Sequence, residues 1–223
     1  TPDELVALWQ VSFQLEKPMG QFIRMLMLTL QRRSEVAELP WTEISEMRSE
    51  WRQDGSRVKN DTDHIVALTA SAKEVLADLA SGKAWPRKGF VFTTTGTTPI
   101  SGFSKLKLRL DRLMLPILQK RADERAYALG EQTEMVFLPD WRLHDIRRTG
   151  VTQMQALGVP IETTEKVINH KSGETAGIRG VYNLHAYTDE KRRALQAWAD
   201  FLARLVADAD RGSNVIALSE KAA

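Results

Sequence analysis

The stretch WRLHDIRRTG, residues 141–150, places His144 and Arg147 three positions apart. On a helix that spacing sets the two side chains one turn apart on one face, with Leu143 and Ile146 as apolar anchors. Cationic and hydrogen-donating groups converging on one spot suit an anion held between them. A guanidinium can fork onto two oxygens at once, while an imidazole can donate a hydrogen bond or take up a proton. Asp145 beside His144 has the form of a metal-binding pair, but no partner His/Asp set at matching spacing accompanies it.

Read in chain order, six residues carry chemistry of this kind: Arg32 in TLQRRSEV, Lys59 in RVKNDTDH, His144 and Arg147 in LHDIRRTG, His170 in VINHKSG and Tyr182 in GVYN. Their order and immediate neighbours resemble the catalytic domain of tyrosine recombinases, the phage-integrase family. The pattern there is an arginine followed by x-S/G-E, a hairpin lysine, H-x-x-R, a G/N-H pair and a nucleophilic tyrosine. The resemblance extends from about residue 3 to 205 and is closest to integrases in which GVYN precedes a charged helix, here DEKRRALQAW. The spacing in that pattern selects Arg32 over Arg33, and Glu35 reads either as a carboxylate that orients the clamp or as an ordinary surface carboxylate. Tyr182 is preferred over Tyr187 because GVYN matches the pattern. Twelve positions separate His170 from Tyr182, longer than the pattern implies, with GETAGIRG holding the extra residues.

The chemistry that such residues suit is phosphoryl transfer. DNA cleavage builds negative charge on the phosphoryl oxygens while one bridging oxygen leaves. Two arginines and an imidazole aimed at one phosphate stabilise that charge. A tyrosine attacking phosphorus gives a covalent ester, and a lysine on a hairpin can protonate the departing 5′ oxygen. The resemblance implies that Arg32, Arg147 and His170 bind the scissile phosphate and that His144 serves as hydrogen-bond donor or general base. It implies Lys59 as general acid and Tyr182 as the nucleophile that forms a 3′-phosphotyrosine. The ester conserves the bond energy, so no cofactor and no metal is expected. Among the other candidates, His64 in DHIVAL reads as structural or as a backbone contact.

Bulk composition excludes several alternatives. The chain has 223 residues, 43% hydrophobic and 27% charged, and no cysteine, which removes disulfide scaffolds, thiol catalysis and cysteine-ligated zinc. The apolar run MLMLTL, residues 25–30, is far shorter than the ~20 residues a membrane span needs and reads as a buried helix. No signal-peptide pattern is visible, which leaves a cytoplasmic location as the expectation. The net charge is +2, yet seven Lys/Arg lie between Lys105 and Arg125 against three carboxylates. Local basic faces on a near-neutral chain fit a nucleic-acid binder.

The elements that must position these residues are mostly helical: 3–15, opened by Thr1 or Asp3 as cap; 20–33; a short 34–39; 71–80, capped by Ser71 or Thr69; a helix from about 101, capped by Ser101 or Ser104 and bent or ended by Pro116; 143–157; 161–170; and 189–209. Residues 42–69 read as a small antiparallel sheet built of EISEM, EWRQ, SRVK and HIVAL, with Lys59 beside the hairpin tip NDTD. FVFTTT, residues 90–95, reads as a further strand.

The expectation is therefore a mainly α fold with a small antiparallel β-sheet, the catalytic domain of a tyrosine recombinase over residues 1–210. A tail over 211–223 would dock on a neighbouring protomer or pack on its own domain, and the N-terminal core-binding domain lies outside this chain. The expected partner is double-stranded DNA carrying an attachment-site core, bound by a homotetramer, with room for an accessory directionality factor and no membrane. A type IB topoisomerase and a degenerate integrase that only binds DNA are the alternative readings.

Overall fold

The computed structural model describes residues 1–57, 62–81, 84–85, 88–170 and 187–212. Helix α1 (Pro2–Ser12) opens on a capping box in which the Thr1 hydroxyl accepts from the Glu4 N–H and Glu4 reaches back to Thr1. Helix α2 (Met19–Thr29) is buried along its length from Gly20 onward, because neighbours cover every face of it: α1 before it, α4 (Ala70–Leu79), α6 (Leu143–Ala156) and α8 (Thr188–Gly212).

The sheet is three-stranded and antiparallel, in the order β1 (Ile44–Ser45), β2 (Glu50–Gln53), β3 (His64–Ala67). Its register pairs Ile44 with Trp51, Trp51 with Val66 and Gln53 with His64. Trp51 is fully buried beneath it and donates its indole N–H to Glu43 at 2.8 Å. The core then runs from Phe22 and Phe92 to Trp198, whose indole donates to the Met27 carbonyl at 2.6 Å. In α8 the residues Leu195, Trp198 and Leu202 are buried as the periodicity requires, with Leu205 half-buried.

Four local expectations change. The second helix stops at Thr29 because Leu30 turns left-handed (φ 56°), so Arg32 becomes the N-cap of α3 (Arg33–Ala37) rather than the end of α2. Ser56 and Arg57, the described part of SRVK, are not extended: Gly55–Arg57 is a 3-10 turn that carries Arg57 onto Glu43, Nε to Oε1 at 2.5 Å, and Val58 and Lys59 lie outside the described residues. FVFTTT forms no strand beyond one bridge, Phe90 to Pro40, flanked by the bonds Trp41 N–H to Gly89 O at 3.0 Å and Val91 N–H to Leu39 O at 2.8 Å, because the threonines fold on themselves. The Gly96 N–H donates to Thr93 Oγ1 at 2.9 Å and the Thr98 N–H to Thr95 Oγ1 at 3.0 Å.

Finally, α5 (Phe103–Leu129) runs through Pro116 and ends at Gly130. Its stripe of Leu106, Leu110, Met114 and Leu118 packs into the core, and that burial outweighs one lost backbone hydrogen bond. Its cap is Gly102, without a side-chain bond, rather than Ser101 or Ser104. Thr69, not Ser71, caps α4. No described helix is long and apolar enough to cross a membrane.

Candidate active site

The site is organised around the C-terminal end of α7 (Ile161–Val167). This helix closes as a Schellman turn: Asn169 is left-handed (φ 48°), the His170 N–H donates to Glu165 O at 2.9 Å and the Asn169 N–H to Lys166 O at 3.4 Å. Carbonyls at a helix end lie beyond the helix's own N–H ladder and can take side-chain donors. Distant side chains supply them. Gln31 donates to Val167 O at 3.0 Å, and His64 Nε2 lies 3.1 Å from the same oxygen. Arg147 Nη2 donates to Ile168 O, and Arg32 Nη2 to Asn169 O at 3.2 Å.

Arg32 is aimed by Glu35, which accepts from its Nη1 at 2.7 Å and from its backbone N–H at 3.0 Å. Glu35 is buried, so it is not an ordinary surface carboxylate. Arg147 is only 6% exposed and its other bond goes to Leu30 O at 2.9 Å. Burial, with the adjacent Arg32 charge, pulls its pKa down to about 10, against the pull of Glu35. It stays charged at neutral pH, and among the described residues no carboxylate contacts it directly and N–H donors are left over. Beside Arg32, which Glu35 holds, Arg147 in this condition leaves an electrostatic deficit that an anion with several oxygens would relieve.

His144 and Arg147 share a face of α6 but not an environment. His144 is exposed, while Leu143, Ile146 and Arg147 are buried. Burial and the charge of Arg147 hold the His144 pKa below its usual value despite Asp145, which favours the neutral imidazole. His170 follows the Schellman turn with its side chain 57% exposed and Nδ1 3.7 Å from Glu165 Oε1. The structure thus gathers Arg32, Glu35, Arg147 and the His170 backbone on one helix end, with His144 beside them. Lys59 and Tyr182 lie outside the described residues.

Close approach of α6 to the Leu30 side chain accompanies this assembly. A Cβ on Gly150 of α6 would fall 2.3 Å from Leu30 Cδ2, so glycine lets α6 seat on Leu30, in the turn that precedes Arg32, without that side chain having to shift. Sequence reasoning missed Gln31 and Lys191, and saw His64 as a backbone contact without its link to the site. Lys191 did carry a signal, since it stands at the same helical spacing as Leu195, Trp198 and Leu202 and is buried with them.

Residues 1–187 match the Phage integrase family, and the chain belongs to that family. It is 27% identical over 193 residues to the prophage integrase IntA of Escherichia coli (strain K12), a match covering 85% of this chain and 39% of IntA. Its fold is similar to that in the crystal structure of XerA recombinase, with a TM-score of 0.53 and 15% identity, covering 95% of this chain and 62% of XerA. The chain therefore spans 39% of IntA and 62% of XerA, less than two thirds of either.

Proposed function

We propose that this chain is the catalytic domain of a site-specific tyrosine recombinase that integrates or excises a mobile element. The observation that carries the reading is the pair Arg32 and Arg147, set side by side on the end of α7 with Glu35 aiming one of them, in a chain of this family. In this reading the two guanidinium groups and His170 take the non-bridging oxygens of the scissile phosphate. His144 donates a hydrogen bond or accepts the phenolic proton. The Tyr182 oxygen bonds to phosphorus as the P–O5′ bond breaks, and Lys59 gives its proton to the departing 5′ oxygen. Attack by a 5′ hydroxyl of the partner strand reverses the step and rejoins DNA.

The substrate is double-stranded DNA at an attachment-site core, acted on by a tetramer of the full-length enzyme, with the tail 211–223 docking on a neighbouring protomer. Deleting residues 212–223 then weakens tetramer assembly on DNA, read by analytical ultracentrifugation. Unchanged assembly rules the docking out.

The deciding experiment uses the full-length protein on a nicked suicide duplex carrying the core of the element's own attachment site. A protein–DNA adduct on a denaturing gel, mapped to Tyr182 and lost in Tyr182→Phe, is the expected result. An adduct at Tyr187 keeps the reaction and overturns the assignment. Binding with no adduct leaves a protein that only binds DNA.

A further inference from the structure

Among the described residues, strand β3 lies at the edge of the sheet, paired with β2. Its first two residues reach across that edge to the two helices that bracket residues 171–186. His64 Nε2 lies 3.1 Å from Val167 O at the end of α7. The carbonyl of the next residue, Ile65, accepts from Lys191 Nζ at 2.6 Å in the first turn of α8. Val167 precedes Tyr182 by fifteen residues, and Lys191 follows it by nine. One dipeptide, His64–Ile65, therefore ties down the chain on both sides of the tyrosine.

We infer that His64 and Lys191 are positioning residues of the strand-cleavage reaction, which hold both ends of the tyrosine-bearing segment at a fixed separation on β3. The inference rests on the proposed recombinase reading.

The choice of residue types supports it. Lys191 is 7% exposed and stands on the apolar stripe of α8, where a leucine or methionine would pack without the cost of burying an ammonium. What it gains there is a bond to the β3 edge. The charges around it are Glu50 on β2, which favours its cation, and Lys166 on α7, which opposes it. Glu50 is itself engaged by Arg52 at 3.1 Å and by Arg192 at 3.6 Å. Burial, with the charges of Lys191, Arg147 and Arg32, brings the His64 pKa down to about 3. The ring is neutral, and since a carbonyl only accepts, Nε2 carries its proton. Lys166 Nζ also lies 5.5 Å from the centroid of the Tyr187 ring, a second tie between α7 and the start of α8.

Neither residue contacts Arg32 or Arg147 by a hydrogen bond, so removing one should alter how the nucleophile is placed while leaving the phosphate clamp intact. A displacement of about 1 Å at a reacting group costs on the order of 100-fold in rate.

The test measures single-turnover cleavage by the full-length enzyme on two suicide duplexes. One has the ordinary scissile phosphate, and the other has sulfur in place of its bridging 5′ oxygen. The thiolate leaving group needs no proton, so that substrate bypasses the hairpin lysine. Lys191→Met and His64→Leu should each slow cleavage about 10–100-fold on both substrates, while equilibrium DNA binding stays within about two-fold. His64→Gln keeps an N–H at the reach of Nε2 and should recover most of the rate. Full activity in both variants overturns the inference, as does loss of binding in step with cleavage. Recovery on the sulfur substrate also overturns it, because the defect would then lie in leaving-group protonation. If Lys191→Met does not fold, the His64→Leu and His64→Gln pair decides. A parent enzyme that forms no adduct fails the recombinase reading itself, whereas an active parent matched by its variants fails only this inference.

Discussion

Arg24 and Arg147 are buried to almost the same degree, 7% and 6% exposed, yet the molecule treats them differently. Arg24, in α2, has its charge answered. Its guanidinium lies 3.9 Å from Asp78, 3.3 Å from both Ser12 oxygens and 4.1 Å from the centroid of the Phe13 ring. Arg147, in α6, hydrogen-bonds only carbonyl oxygens among the described residues, and the charge that weighs most on it is that of Arg32, with Glu35 opposing. A buried cation with a carboxylate partner is complete, while one held by neutral acceptors next to a like charge is set up for an anion. The difference separates a structural arginine from a functional one, and neither charge count nor burial reveals it.

The largest expected effect tests that contrast. Arg147→Lys keeps the charge and loses the fork, and should slow strand cleavage on the suicide duplex by about 100- to 1,000-fold. Arg24→Met replaces a compensated cation by an apolar stem and should leave the cleavage rate within about two-fold and stability within about 1 kcal/mol. Equal losses in both variants would erase the distinction.

Next in size is the support beneath Arg147. Gly150→Ala pushes a methyl into Leu30, whose carbonyl holds that arginine, and should destabilise the domain by about 1–3 kcal/mol in chemical denaturation.

The neutral His64 predicts a pH dependence. Its folded pKa, about 3, lies below the unfolded value, about 6.5, so the unfolded chain takes up a proton that the folded chain refuses. The stabilisation is full above pH 6.5 and declines as pH falls from there toward 3. Between pH 6.5 and 5 it should amount to about 1–2 kcal/mol, and His64→Gln should abolish it.

The smallest effect belongs to the surface. Arg125, 62% exposed, and Arg121 both reach Asp3, an arrangement that belongs to the packing of α1 on α5 rather than to any site. Asp3→Asn should cost under about 1 kcal/mol, less at high salt, and leave cleavage untouched.

Several elements were legible before the fold was seen. Leu195, Trp198 and Leu202 announce α8, and EWRQ and HIVAL announce β2 and β3. The order arginine, histidine–x–x–arginine, asparagine–histidine names the family. Misreadings fell where a local signal competed with a tertiary one. Pro116 argues for a helix end, but the stripe packed beneath it carries α5 onward. FVFTTT alternates like a strand, yet it makes a single bridge, to Pro40, and curls through its own hydroxyls.

By itself the sequence determined the helical periodicities, the short strands, and the types and order of the residues suited to phosphoryl transfer, because those depend on neighbours within a few positions. Only the tertiary structure decided which arginine lost its carboxylate partners, that α7 would end on Gln31, Arg32, His64 and Arg147, and that Lys191 would lie buried against β3. Those contacts join residues up to 137 positions apart. They follow from how α2, α6, α7, α8 and the sheet edge pack together, and no spacing along the chain encodes that packing.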